Sequence, residues 1–150
     1  MNQEPIKPLQ IFLADDDLDD CDFFERALTS LPISAELTTV YDGEKLMNAL
    51  NNATAQIPDV IFLDINMPRK NGYECLAEIK QNSRLKDVPV IMFSTSNSRD
   101  AMNALFKIGA DVYIRKPGGF EELKDLIRYA LPMATEKVFS NSQLKYILNA

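Results

Sequence analysis

The strongest constraint in this chain is an alternation: short apolar runs of strand length are each followed by apolar residues at helical spacing, five times in succession. "LQIFLA" (9–14) precedes Phe23, Phe24, Ala27, Leu28 and Leu31, and Pro32 stops that run. "AELTTVYDG" (35–43) precedes Leu46, Met47 and Leu50, and "DVIFLD" (59–64) precedes Asn71-Gly72 and a helix on Leu76 and Ile79. "VPVIMFS" (88–94) precedes Met102, Leu105 and Phe106, with Gly109 as the helix C-cap. "DVYIRK" (111–116) precedes Phe120, Leu123, Leu126, Ile127 and Ala130. Parallel strands need crossover connections, and right-handed crossovers lay the helices back onto both faces of the sheet. The pattern predicts an α/β fold with a five-stranded parallel sheet, doubly wound with five helices.

At 150 residues the chain has length for one core. The expected organisation is an N-terminal extension (1–8), one domain (9–131) and a tail (132–150) in which Leu144, Ile147 and Leu148 are spaced for a short helix. Sixteen basic against 22 acidic residues give a net charge of −6, which repels phosphate backbones, so direct nucleic-acid binding is not expected. The tail carries only Lys137 and Lys145 as bases and is too short for a three-helix DNA-binding domain. The opening "MNQEPIKPLQ" has charges and prolines where a secretory signal needs an apolar core, and no apolar run approaches the length of a membrane span. A cytoplasmic location without membrane insertion follows as an expectation. Cys21 and Cys75 lack metal-type spacing and read as small buried groups. Histidine is absent, which removes Ser-His-Asp and Cys-His catalysis and the commonest metal ligand.

In open α/β sheets, ligands bind beyond the carboxyl ends of the strands. The residues falling there are Asp15 and Asp16 after the first run, Asp64 with Asn66 after the third, Ser94 with Thr95 after the fourth, and Lys116-Pro117 after the fifth. Clustered carboxylates raise each other's pKa unless a proton or a cation offsets them. Mg²⁺ suits such a set, because it takes oxygen ligands, uses one or two carboxylates and recurs where phosphates are handled. Asp16 and Asp64 would coordinate directly, the Asn66 backbone carbonyl would add an oxygen, and Asp15 would act through a water. With that charge offset, Asp64 is placed to attack a phosphoryl group, with Lys116 and Ser94 holding its oxygens. Asp17, Asp19, Asp20 and Asp22 read instead as acids favouring a helix N-terminus.

"ADDD" (14–17), "FLDINMP" (62–68), Gly72, "FSTS" (93–96) and "YIRKP" (113–117), in this order, closely resemble the receiver domain of two-component response regulators of the chemotaxis-regulator type, over about residues 9–131. The resemblance implies a flavodoxin-like strand order 2-1-3-4-5, Asp64 as phosphoacceptor, Asp15 and Asp16 as the Mg²⁺-binding acid pair, and Lys116 on the phosphoryl group. Ser94 matches the switch hydroxyl and Tyr113 the aromatic residue that turns inward with it; the family's Lys-Pro bond is cis. It further implies a phosphoryl donor that is a histidine kinase or histidine phosphotransfer protein, and a downstream protein target. The protein is then not an enzyme turning over an external substrate, but an acceptor with slow self-dephosphorylation. "KPGGF" departs from the family by placing two glycines before Phe120. An aspartyl-phosphate hydrolase of the haloacid-dehalogenase type would carry a second Asp two residues after the nucleophile, where this chain has Asn66. The remaining alternative is a phosphorylation-independent, receiver-like protein-binding module.

Overall fold

Each of the five apolar runs forms a strand, and the periodic stretch that follows each forms a helix. The computed structural model describes residues 7–52, 54, 56–136 and, for the backbone alone, 146–148. In chain order the elements are β1 (Leu9–Ala14), α1 (Leu18–Thr29), β2 (Ala35–Val40), α2 (Gly43–Leu50), β3 (Val60–Leu63), α3 (Gly72–Gln81), β4 (Val90–Ser94), α4 (Arg99–Ile108), β5 (Val112–Arg115), α5 (Phe120–Glu136) and β6 (Tyr146–Leu148). All strand pairings are parallel, in the order β2-β1-β3-β4-β5-β6. The expected five-strand order is present, extended at one edge.

Side chains alternate across the sheet, and each face has its own core. Val60 and Phe62 of β3 pack with Phe24 of α1 and Ile127 of α5, whereas Ile61 and Leu63 pack with Leu46 of α2, Leu76 of α3 and Leu105 of α4. Phe24 meets Phe62 and Phe93 edge-on, with ring centroids 4.8 and 5.6 Å apart, the offset that the ring quadrupoles favour. The helix ends follow the sequence closely. Asp17, Asp42, Asn71 and Ser98 cap four helices through their side chains, Asn71 in a reciprocal capping box with Glu74. Gly109 ends α4 at φ 135°, a conformation that side chains rarely adopt.

Two expectations for the tail change. The helix α5 runs past residue 131 through Pro132 to Glu136, because Leu131 and Ala134 continue the buried stripe and the packing outweighs the lost backbone bond. The tail was expected to form a short helix, but 146–148 are strand, with Tyr146, Ile147 and Leu148 in register with Val112, Tyr113 and Ile114; Leu144 lies outside the described residues. Three apolar residues do not separate helix from strand by spacing, and the open edge of β5 offers unpaired backbone groups that a strand satisfies.

Candidate functional site

Parallel register fixes which residues leave the sheet together. Ala14 of β1 pairs with Leu63 of β3, so Asp15 and Asp64 emerge side by side, and Ser94 at the end of β4 pairs with Arg115, next to Lys116. Asp15 is fully buried, and Asp64 and Ser94 are buried too. The Asp64 carboxylate is held by its Oδ1, which accepts from the Ile65 N–H at 2.8 Å. The loop beyond it folds back where Gly72 N–H donates to Ile65 O at 2.7 Å, and Asn66 lies exposed in that loop.

Carboxylate oxygens of Asp15, Asp16 and Asp64 lie within 4.8 Å of one another. Asp16 is exposed, whereas the other two are not. Asp15 Oδ1 accepts from the Asp17 N–H at 3.0 Å, while its Oδ2 is the buried side-chain oxygen that makes no hydrogen bond among the described residues. Lys116 Nζ stands 2.7 Å from that oxygen, but out of hydrogen-bonding alignment, so the contact is one of charge. An all-oxygen donor set that includes a buried carboxylate oxygen accepting no aligned hydrogen bond fits a hard divalent cation.

The Lys116 ammonium is nearly enclosed and faces three carboxylates, at 2.7 Å from Asp15, 2.8 Å from Asp20 and 3.5 Å from Asp64, with the Phe93 ring 5.4 Å away. Burial pushes Asp64 up from 3.8 to about 6, with the Lys116 charge opposing and Asp15 reinforcing the rise. Burial likewise raises Asp15 against the pull of Lys116. Burial alone would lower Lys116, but its contacts with Asp15 and Asp20 and the charge of Asp64 outweigh this and raise it. The cluster is thus an acidic pocket holding one ammonium and short of positive charge.

Ser94 Oγ accepts from the Ser96 N–H at 3.3 Å, and the fully buried Tyr113 donates its hydroxyl to Ser96 O at 2.8 Å. Tyr113 is therefore turned inward and tied to the same loop as Ser94. The Lys116-Pro117 bond is trans, unlike the family's cis form. Asp20 is the residue that sequence reading set aside: besides standing in the first turn of α1, its carboxylate accepts a hydrogen bond from the Lys116 ammonium at 2.8 Å. Its one local signal was its place three residues past the cap Asp17, on the turn lying over the end of β1.

Residues 11–128 match the response regulator receiver domain family. The chain belongs to that family. Response regulator Rcp1 of Synechocystis sp. is 34% identical over 132 residues, covering 85% of this chain and 88% of that protein. A phosphorylated cyanobacterial phytochrome response regulator, RcpA, superposes with a TM-score of 0.79 at 32% identity, over 88% of this chain and 97% of its own. The Mn²⁺-bound form of Rcp1 gives 0.78 at 31% identity, over 87% and 97%. The protein is a two-component response regulator that accepts a phosphoryl group, and an acidic cluster suited to a divalent metal lies at the receiver's carboxyl edge.

Proposed function

We propose that Asp64 is the phosphoacceptor, that Asp15, Asp16 and Asp64 with the Asn66 carbonyl hold Mg²⁺, and that a histidine kinase or histidine phosphotransfer protein is the donor. The observation that carries this reading is the convergence of Asp15, Asp16, Asp64 and Lys116 on one edge. Bound there, Mg²⁺ would supply the positive charge that the three acids and an incoming phosphoryl group require. An Asp64 oxygen attacks phosphorus, a new O–P bond forms, and the donor's P–N bond breaks with its electron pair leaving on the imidazole. Lys116 binds a phosphoryl oxygen as a point charge, and Ser94 donates to another.

The switch follows from Ser96. When Ser94 turns its hydroxyl toward the phosphoryl group it gives up the Ser96 N–H, and the loop that accepts from Tyr113 shifts with it. That biases the surface around β5 between two populations and changes affinity for a protein target. The acyl phosphate is then lost slowly by the protein's own hydrolysis, without turnover of an external substrate. We place the exchange in the cytoplasm, consistent with the free, buried Cys21 and Cys75; among the described residues no helix is long and apolar enough to cross a membrane. The intact donor set supports this reading over a phosphorylation-independent binding module.

The test is intact mass after incubation with acetyl phosphate, with and without Mg²⁺, for the wild type and Asp64→Asn. A Mg²⁺-dependent phosphoryl adduct absent from the variant is expected. No adduct on a folded wild type would refute the assignment.

A further inference from the structure

Lys116 has three carboxylates around it, and among the described residues the bond that is well aligned goes to Asp20, while Asp15 and Asp64 hold the ammonium mainly by charge. Asp20 is also the one carboxylate of the three outside the group whose oxygens converge for a cation, which consists of Asp15, Asp16 and Asp64. A divalent cation held by Asp15 and Asp64 would offset the charge that those acids offer Lys116 and would repel the ammonium, weakening the contacts that stand at 2.7 and 3.5 Å without it. The 2.8 Å bond to Asp20, which lies outside that converging group, would not be shared with the cation. A lysine stem is flexible, and an ammonium without an anchor would swing away from the pocket that it must serve.

We infer that Asp20 is a positioning residue for Lys116: it holds the ammonium at the pocket once a metal has claimed Asp15 and Asp64, so that Lys116 meets an incoming phosphoryl group already in place. The inference rests on the reading of Asp64 as phosphoacceptor. An ammonium has three donors, so Asp20 occupies one and leaves two for phosphoryl oxygens. Asp20 lies on the first turn of α1 and Lys116 just beyond β5, so the bond also spans the mouth of the site from one side to the other.

The test uses the full chain and Mg²⁺ alone as the first probe. Lysine ammonium protons that are buried and hydrogen-bonded exchange slowly enough to be followed by ¹⁵N NMR, with the Lys116 signal assigned from its loss in Lys116→Arg. In the wild type the signal is expected to persist at saturating Mg²⁺; in Asp20→Asn and Asp20→Ala it is expected to be present without Mg²⁺ and lost with it. A signal that survives Mg²⁺ in both variants, or is lost in the wild type, would overturn the inference. The second readout is single-turnover phosphorylation by acetyl phosphate. Losing a hydrogen bond between charged groups is expected to slow the reaction about tenfold at saturating Mg²⁺ in both variants, with the Mg²⁺ affinity changed by less than about threefold. A rate equal to the wild type's would count against Asp20, as would a deficit that extra Mg²⁺ removes, since the latter would make Asp20 a metal-site acid. If the wild type takes up no phosphoryl group, the acceptor reading fails, and the ammonium signal still decides the role of Asp20.

Discussion

Gly72→Ala should damage the site from behind, without touching a charged residue. Gly72 opens α3 with an ordinary negative φ, so its need for glycine is one of space rather than conformation. A Cβ there would press into the Asp64 carbonyl oxygen and lie 2.7 Å from Ile65 Cα, where carbon atoms normally rest at about 3.5–4.0 Å. Either α3 or the acceptor loop must move by about 1 Å, and overpacking of this kind costs about 1–3 kcal/mol. Alanine recovers up to about 1 kcal/mol by its better helix propensity, and with that recovery in full the net loss is about 0–2 kcal/mol. The displaced group is the backbone of the acceptor itself, and a misplacement of about 1 Å in a reacting centre lowers rates by up to about a hundredfold. Urea denaturation reads the first effect, and the rate of adduct formation with acetyl phosphate reads the second. Gly118→Ala is the control: a Cβ there meets nothing within 4 Å, so stability and rate should stay within error or rise slightly. A Gly72→Ala protein as stable and as fast as the wild type would refute the steric argument, and so would equal damage from Gly118→Ala.

Burial raises Asp64 to about 6 from 3.8, so between those pH values the folded chain keeps a proton that the unfolded chain has released. This contribution favours folding at low pH and is lost as pH rises through about 6. Asp64→Asn should therefore be more stable than the wild type by about 1–3 kcal/mol at pH 7.5 in EDTA, with the gap closing near pH 4; a pH-independent gap in urea titrations would contradict the burial argument. Both thiols are buried and pushed up to about 12, in each case first by burial, so neither Cys21 nor Cys75 should react with a disulfide reagent at pH 8 until the protein is unfolded. Fast modification of either one in the native protein would show that its core opens. Truncation after Glu136 should leave the phosphorylation rate unchanged and speed amide exchange in Val112–Arg115, since β6 covers that edge; unchanged exchange would deny the pairing.

Much of this architecture is legible in the sequence because the signals are local and repeated. β3 is a four-residue run buried on both faces, and such a run reads directly as an interior parallel strand. The caps Asp17, Asp42, Asn71 and Ser98 belong to residue types that announce helix starts. Most of the site follows from the same regularity, because Asp15, Asp64, Ser94 and Lys116 each stand where a strand stops, and a parallel sheet puts all those stops on one side.

What the sequence hides is where a tertiary partner overrides a local rule. Proline predicts a helix end at 132, yet the burial of Leu131 and Ala134 carries α5 four residues further, and no pattern within the tail itself weighs that gain. β6 depends on the vacant edge of β5 rather than on its own three residues. Asp20 is the sharpest case. An acid in the first turn of a helix already has a sufficient local reason to be there, in the helix dipole, and its partner Lys116 is 96 positions away. Only the crossovers that place α1 and the end of β5 at the same mouth turn a helix-end charge into one of the counter-ions of Lys116. Residues with a good local explanation are thus the ones most easily missed at a functional site, because the local rule that accounts for them removes the reason to look for a distant partner.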